Sequence, residues 1–171
     1  MSPDDFQKEV LPLKNKLYRF AYRLLNHREE AEDMVQEAII RLWTKRDDLG
    51  NYNSIEALAM TITRNMCLDF LKSAGHLTAG EEDYPAAGNH ATPHQITEMN
   101  DTIGLVHRLI NSLPGRQKII IHLRDVEGYE YEEIAAIMDM NLNAVRVSLS
   151  RARKRVRDAL VNANSYELRT N

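Results

Sequence analysis

The sequence predicts an all-α protein of two small helical domains, an N-terminal helical bundle and a C-terminal helix-turn-helix, joined by a flexible linker. Three observations carry this. Apolar residues recur at spacings of three and four along most of the chain, with no sustained period-two alternation. The stretch Ser73 to Thr97 holds three Gly, two Pro and acids but no Lys or Arg, so it lacks the apolar surface needed to order itself. Beyond it, a short apolar helix, a tight turn and a long basic helix follow in helix-turn-helix order. The expected partition is residues 1–74, a linker over 75–97 and a second domain over 98–165.

The elements follow from periodicity and end signals. Over residues 4–26, Val10, Leu13, Leu17, Phe20 (or Ala21) and Leu24 mark one amphipathic helix. A second, roughly Glu29 to Arg46, opens with acids and closes with Lys45 and Arg46, as the helix dipole favours. The turn formers Asp47 to Asn53 separate it from a third helix, capped by Ser54 and running to about Lys72. Helices resume over about 98–112, then from Pro114 to about Asp125, then over about 131–138. Asp139-Met140-Asn141 forms the turn, and Asn141 caps a final helix over about 142–160. In that helix Val145, Leu149, Ala152, Val156 and Leu160 form one apolar seam toward Ile134, Ala135 and Met138.

The net charge of −3 conceals a strong segregation. From Asp125 to Asp139 there are six acids and no base, and from Arg146 to Arg157 six bases and no acid. A base-only helix fits a nucleic-acid partner, whereas a solvated face usually mixes signs. The acidic run is expected to face outward or toward a protein, away from DNA. The longest apolar run is Ile134 to Met138, too short to span a bilayer. The acidic start leads into no apolar stretch, and a single cysteine, Cys67, fits a reducing compartment. The expectation is a soluble, cytoplasmic protein.

Candidate binding residues fall in three groups. In the last helix, Asn143, Arg146 and Ser148 sit in the first turns, where a recognition helix meets base edges. Arg151, Lys154 and Arg155 are placed to hold phosphates, with Arg153 on the same side as Arg146. On the second helix, Ala31, Val35, Ala38, Ile39 and Leu42 cluster as core, while Asp33, Gln36, Glu37 and Ile40 lie opposite with Trp43 at the margin. Asp33 and Glu37, one turn apart, repel each other unless a base arrives from outside. This face is either a docking surface for a basic helical partner or a solvated face with a stray isoleucine. Asn51, Tyr52 and Asn53 offer an aromatic platform and amides suited to an unstacked base. In the third helix Arg64, Asn65, Asp69 and Lys72 are polar, and a pairing of Arg64 with Asp69 is one account of them.

Together these residues resemble a known family. Glu30-Ala31-Glu32-Asp33-Met34-Val35-Gln36-Glu37, followed by Trp43, resembles the polymerase-core-binding region of bacterial RNA polymerase sigma factors. Ile62-Thr63-Arg64-Asn65, with Asp69 and Lys72, is similar to their promoter-melting, minus-ten-reading helix. Leu113-Pro114, Arg116-Gln117, Glu127-Gly128-Tyr129 and Tyr131 to Ala135, ending in Val145 to Arg153, resemble their minus-thirty-five-reading domain. The short two-domain layout resembles the extracytoplasmic-function (ECF) subgroup. This resemblance implies that Asp33, Gln36, Glu37, Ile40 and Trp43 dock on core RNA polymerase. It implies that Asn51, Tyr52, Asn53, Ser54, Arg64, Asn65 and Lys72 engage the minus-ten element, and that the last helix enters the upstream major groove of promoter DNA. It also implies an anti-sigma factor, membrane-anchored or free, as a further partner, and no membrane insertion or cofactor for this chain. Leu58 replaces a frequent Trp, Glu130 a usual Ser cap, Asp139 a usual Gly and Ser148 a common Arg. These departures bear on the promoter sequence rather than the class, and Asp139 needs a positive φ or a different turn.

The implied mechanism is transcription initiation by binding alone, with a captured base nucleating strand separation. A tether of about 24 residues reaches about 80 Å when extended, enough for two elements about 70 Å apart. A stand-alone helix-turn-helix regulator is the first rival. An enzyme is the second, and it finds little support: His90 and His94 fall in the linker, Cys67 is alone, and residues 29–37 lack a Glu-x-x-His partner.

Overall fold

The computed structural model describes residues 1–75 and 102–170. Among the described residues eight α-helices carry the fold: α1 Pro3–Glu9, α2 Lys14–Leu25, α3 Arg28–Thr44, α4 Ile55–Ser73, α5 Thr102–Asn111, α6 Gly115–Ile121, α7 Tyr131–Met138 and α8 Leu142–Thr170. No strand occurs among the described residues. Gly75 aside, the expected linker lies outside the described residues, as does the start of the helix expected over 98–112.

In the N-terminal unit α2, α3 and α4 pack together, with α1 alongside. Phe20 and Ala21 are both buried, beside Leu17, Leu24, Val35, Leu42 and Met60. The single helix expected over 4–26 is instead two. Pro12 lies in a 3₁₀ turn, Leu11–Leu13, and its missing N–H breaks the ladder there. Ser2 caps α1 by accepting from the Asp5 N–H at 3.1 Å. Asn26, at φ 49°, ends α2. His27 then opens α3, its Nδ1 accepting from the Glu30 N–H at 3.3 Å. Ser54 caps α4 as expected, its Oγ accepting from the Ala57 N–H at 3.0 Å.

The C-terminal unit packs α6 and α7 against α8, with α5 alongside. Ile134, Ile137 and Met138 of α7 meet the seam of α8, where Val145, Leu149 and Ala152 are buried and Val156 and Leu160 half-buried. Asn141 caps α8 through the Ala144 N–H at 2.7 Å. Asp139 takes the left-handed conformation (φ 51°) that the tight turn demands. Two boundaries differ from expectation. α8 continues to Thr170. The helix from Pro114 stays α-helical only to Ile121 and then widens into a π turn, His122–Val126, closed by the Glu127 N–H on the His122 carbonyl at 3.0 Å. The wider turn rotates Glu127 inward, so its side chain is only 4% exposed. Gly128 follows at φ 78°, where an L side chain would be strained.

The two units are in contact. α4 packs against α7 and α2 against α6.

Candidate polymerase and nucleic-acid interfaces

On α3, Ala31, Val35, Ala38 and Leu42 are buried, which leaves Asp33, Gln36, Glu37 and Ile40 on the outside. Ile40 is 58% exposed, a large apolar side chain set among acids. Trp43 is only partly free. Its ring meets Phe6 edge-on at 5.0 Å, and the Arg46 guanidinium lies 4.6 Å from its centre. Glu37 does not wait for an outside base, because Arg41, one turn along, donates to it at 3.0 Å. Such an exposed pair contributes little.

Beside this face the loop carries Asn51, Tyr52 and Asn53, all exposed. Ser54 spends its Oγ on the cap of α4. Along α4, Asn65 and Lys72 are exposed and Arg64 is half-buried, donating to the Asn65 amide oxygen at 3.1 Å. A recess of about 350 Å³ opens between α3 and α4, lined by Arg41, Thr44, Lys45, Ile62 and Asn65. Of these only Asn65 is a sequence-predicted site residue. Arg41 near the end of α3 and Lys45 at its C-cap, four apart, are the signal in the sequence that points to it.

The recognition helix α8 exposes Asn143, Arg146, Arg151, Arg153, Lys154 and Arg155, while Ser148 is half-buried. Arg146 is positioned by Tyr131, whose ring centre lies 5.7 Å from its guanidinium and 4.7 Å from that of Arg124. Arg124 is itself held by the Tyr129 carbonyl at 2.7 Å. Arg153 forks onto Asp125 at 2.5 and 3.0 Å, and Lys154 reaches Asp158 at 3.0 Å. A recess of about 290 Å³ lies on this flank, bordered by Tyr131, Arg146, Ser150, Arg153, Lys154 and Arg157. Tyr131, Ser150 and Arg157 are thus additions to the sequence-predicted set. Of the acids of 125–139, expected to face outward or toward a protein, Asp125, Glu130, Glu132 and Asp139 are exposed, and several of the run also serve the structure. Asp125 holds Arg153, Glu133 accepts from the Glu130 N–H at 2.9 Å, and Glu127 points into the molecule.

Residues 10–76 match the family of Sigma-70 region 2, and residues 103–156 match Sigma-70 region 4. The chain belongs to the sigma-70 family, in its ECF group. It is similar to the ECF RNA polymerase sigma factor SigE of Mycolicibacterium smegmatis, 32% identical over 156 residues, 88% of this chain. The chain spans 60% of the length of that relative. It is 28% identical to the RNA polymerase sigma-H factor of Pseudomonas aeruginosa over 169 residues, 91% of this chain and 86% of that protein. Its fold is shared with the sigma factor RpoE of Bartonella quintana, solved in complex with the anti-sigma factor NepR (TM-score 0.70, 24% identity, covering 92% of this chain and 97% of that one). In this sigma-70 family member, no helix among the described residues is long and apolar enough to cross a membrane. No three His, Cys, Asp or Glu side chains gather as a metal site among those residues either.

Proposed function

We propose that this chain is a promoter-specificity subunit that binds core RNA polymerase, directs it to particular promoters and helps open them. The observation that carries this is the presence of both family regions in order, each with an exposed face of the matching chemistry. The α3 face, with Asp33, Gln36, Glu37, Ile40 and the margin of Trp43, suits a protein surface bearing bases and an apolar pocket. The loop Asn51 to Ser54 and the recess beside Asn65 suit an unstacked base, with Arg64 and Lys72 near the strand. Capture there supplies the few kcal/mol, roughly, that unstacking requires. The helix α8 suits the upstream major groove, with Asn143, Arg146 and Ser148 toward bases and Arg151, Arg153, Lys154 and Arg155 toward phosphates. The domains are taken as 1–74 and 98–165 with the linker between them. No covalent step is asked of the chain, and its place of work is the cytoplasm, with polymerase and DNA. The Bartonella relative's complex supports an anti-sigma partner here as well.

Transcription in vitro with purified bacterial core polymerase on a random-sequence template library tests this. A shared pair of elements upstream of the starts is the expected result. Tight footprinting by the chain alone, with no transcripts, would favour a stand-alone regulator instead.

A further inference from the structure

On α8 the buried seam Val145, Leu149 and Ala152 fixes the side of the helix that faces the core. Asn143, Val147, Ser150 and Lys154, spaced four, three and four, run along the opposite side, and all four are exposed. At about 100° per residue, Val147 lies near the middle of that stripe, almost diametrically opposite the seam. Ser148, expected at base edges, is turned about 100° back toward the seam and is half-buried. From Arg146 to Arg157 the helix carries six bases and no acid. Within that stretch Val147 is a large apolar side chain left 40% exposed, whereas Leu149 is buried and Val156 half-buried. Neither helix formation nor packing accounts for a valine there. A β-branched residue is a poorer helix former than Ala, and Val147 is not among the side chains packed on the core.

We propose that Val147 is a specificity-determining residue that reads a thymine of the upstream element by burying its C5-methyl group. The inference rests on the reading of α8 given above, and the charge around Val147 points to the same occupant, because six bases without an acid attract phosphate and repel a basic protein surface. In the major groove the base edges present donors and acceptors, and the apolar exception is the thymine methyl. An isopropyl group offers no hydrogen bond, so it gains only where that methyl stands. Over a cytosine amino group or the guanine acceptors it would strip water and return nothing, which penalises the wrong base. Arg146, the preceding residue, is steadied by the Tyr131 ring at 5.7 Å and suits a guanine edge. Neighbouring Cα atoms lie about 3.8 Å apart, close to the rise of about 3.4 Å per base pair, so the thymine should fall within about two base pairs of the guanine. Arg146 and Val147 together then read a polar edge and an apolar one.

The test uses the full chain with bacterial core polymerase. Sequencing the templates transcribed from a random library first gives the upstream element. Promoter duplexes then carry deoxyuridine in place of each thymidine of that element in turn, which removes the methyl group and leaves base pairing intact. Thymine and uracil duplexes compete for the same preparation, so any effect of a substitution on folding cancels. For the parent, one replacement should weaken binding about fourfold, as expected when one methyl group is no longer buried. In Val147→Ala, where Ala is the better helix former, that preference should vanish. Val147→Thr, which keeps one γ-methyl, should retain part of it. An element with no methyl-sensitive thymine, or an equal preference in the parent and in Val147→Ala, would overturn the proposal while leaving α8 as the upstream reader. If the transcribed templates share no upstream element at all, the reading of α8 falls and the proposal with it.

Discussion

The two units present opposite solutions to the display of a binding face. The N-terminal unit leaves its α3 face loosely committed: Asp33 and Gln36 are exposed, Ile40 stands 58% exposed, and the ion pairs within the helix, Arg28–Glu32 and Glu37–Arg41, are surface pairs. The C-terminal unit instead braces its reading helix from its own side, with Asp125 on Arg153, Asp158 on Lys154 and the Tyr131 ring beside Arg146. The difference follows from what each face is asked to meet. An apolar-and-acidic surface gains its energy by desolvation against a shaped partner. An arginine that reads base edges needs a fixed direction before it arrives.

Four measurements sharpen or break this contrast, taken from the largest expected effect downward. Replacing Asp33 and Glu37 together with Lys should weaken association with core polymerase by about 100-fold or more, as for central interface residues. Co-elution and titration would show it, and unaltered association would remove α3 as the docking face. Truncating Arg146 to Ala should cost about 1–3 kcal/mol of promoter binding, with relaxed choice at one base position. A uniform loss across sequences would instead make Arg146 a phosphate contact. Lys118→Met, which exchanges a buried ammonium for an apolar chain of similar length, should stabilise the fold by about 1–3 kcal/mol in urea unfolding. Last, Asp125→Ala should release Arg153 and steepen the salt dependence of duplex binding by about one unit, with a stability change under about 1 kcal/mol. An unchanged slope would mean that Asp125 does not compete with phosphate.

The Lys118 variant carries a pH signature as well. Burial, with Arg23 nearby, lowers its ammonium from 10.5 to about 8. Between these values the unfolded chain holds a proton that the folded chain lacks, so stability should rise with pH from about 8 to 10.5. In Lys118→Met that rise should vanish. His122 acts in the same direction at lower pH. Its value is lowered from 6.5, chiefly by burial, so stability should also climb as pH rises toward 6.5. For Glu127, burial alone would raise the carboxyl, but the hydrogen bonds from Arg19 and the nearness of His122 hold it at about 2. Its contribution is therefore lost as pH falls from 4.5 toward 2.

Much of the local structure was legible along the chain. Ser54 and Asn141 cap the helices assigned to them, Asp139 takes the left-handed turn, and the seam Val145, Leu149 and Ala152 is buried. The division of α3 into a buried and an exposed side also follows its periodicity. Pro12 is a helix breaker legible in the sequence although the apolar spacing runs across it, and the Glu37–Arg41 pair is legible at four residues' distance. The recess joining Arg41 and Lys45 to Asn65 was harder to see, because it needs the end of α3 to lie against the middle of α4.

By itself the order of residues determined the helices, their caps and the chemistry of each exposed face, since a turn of helix or a cap is closed by groups within about four residues. Tertiary structure alone decided that the chain widens into a π turn at His122, that Glu127 turns inward and meets Arg19 from 108 residues away, and that Lys118 is buried with no hydrogen-bond partner among the described residues. Those outcomes depend on which surfaces press together once the helices exist, and contacts between distant segments leave no periodic trace in the sequence.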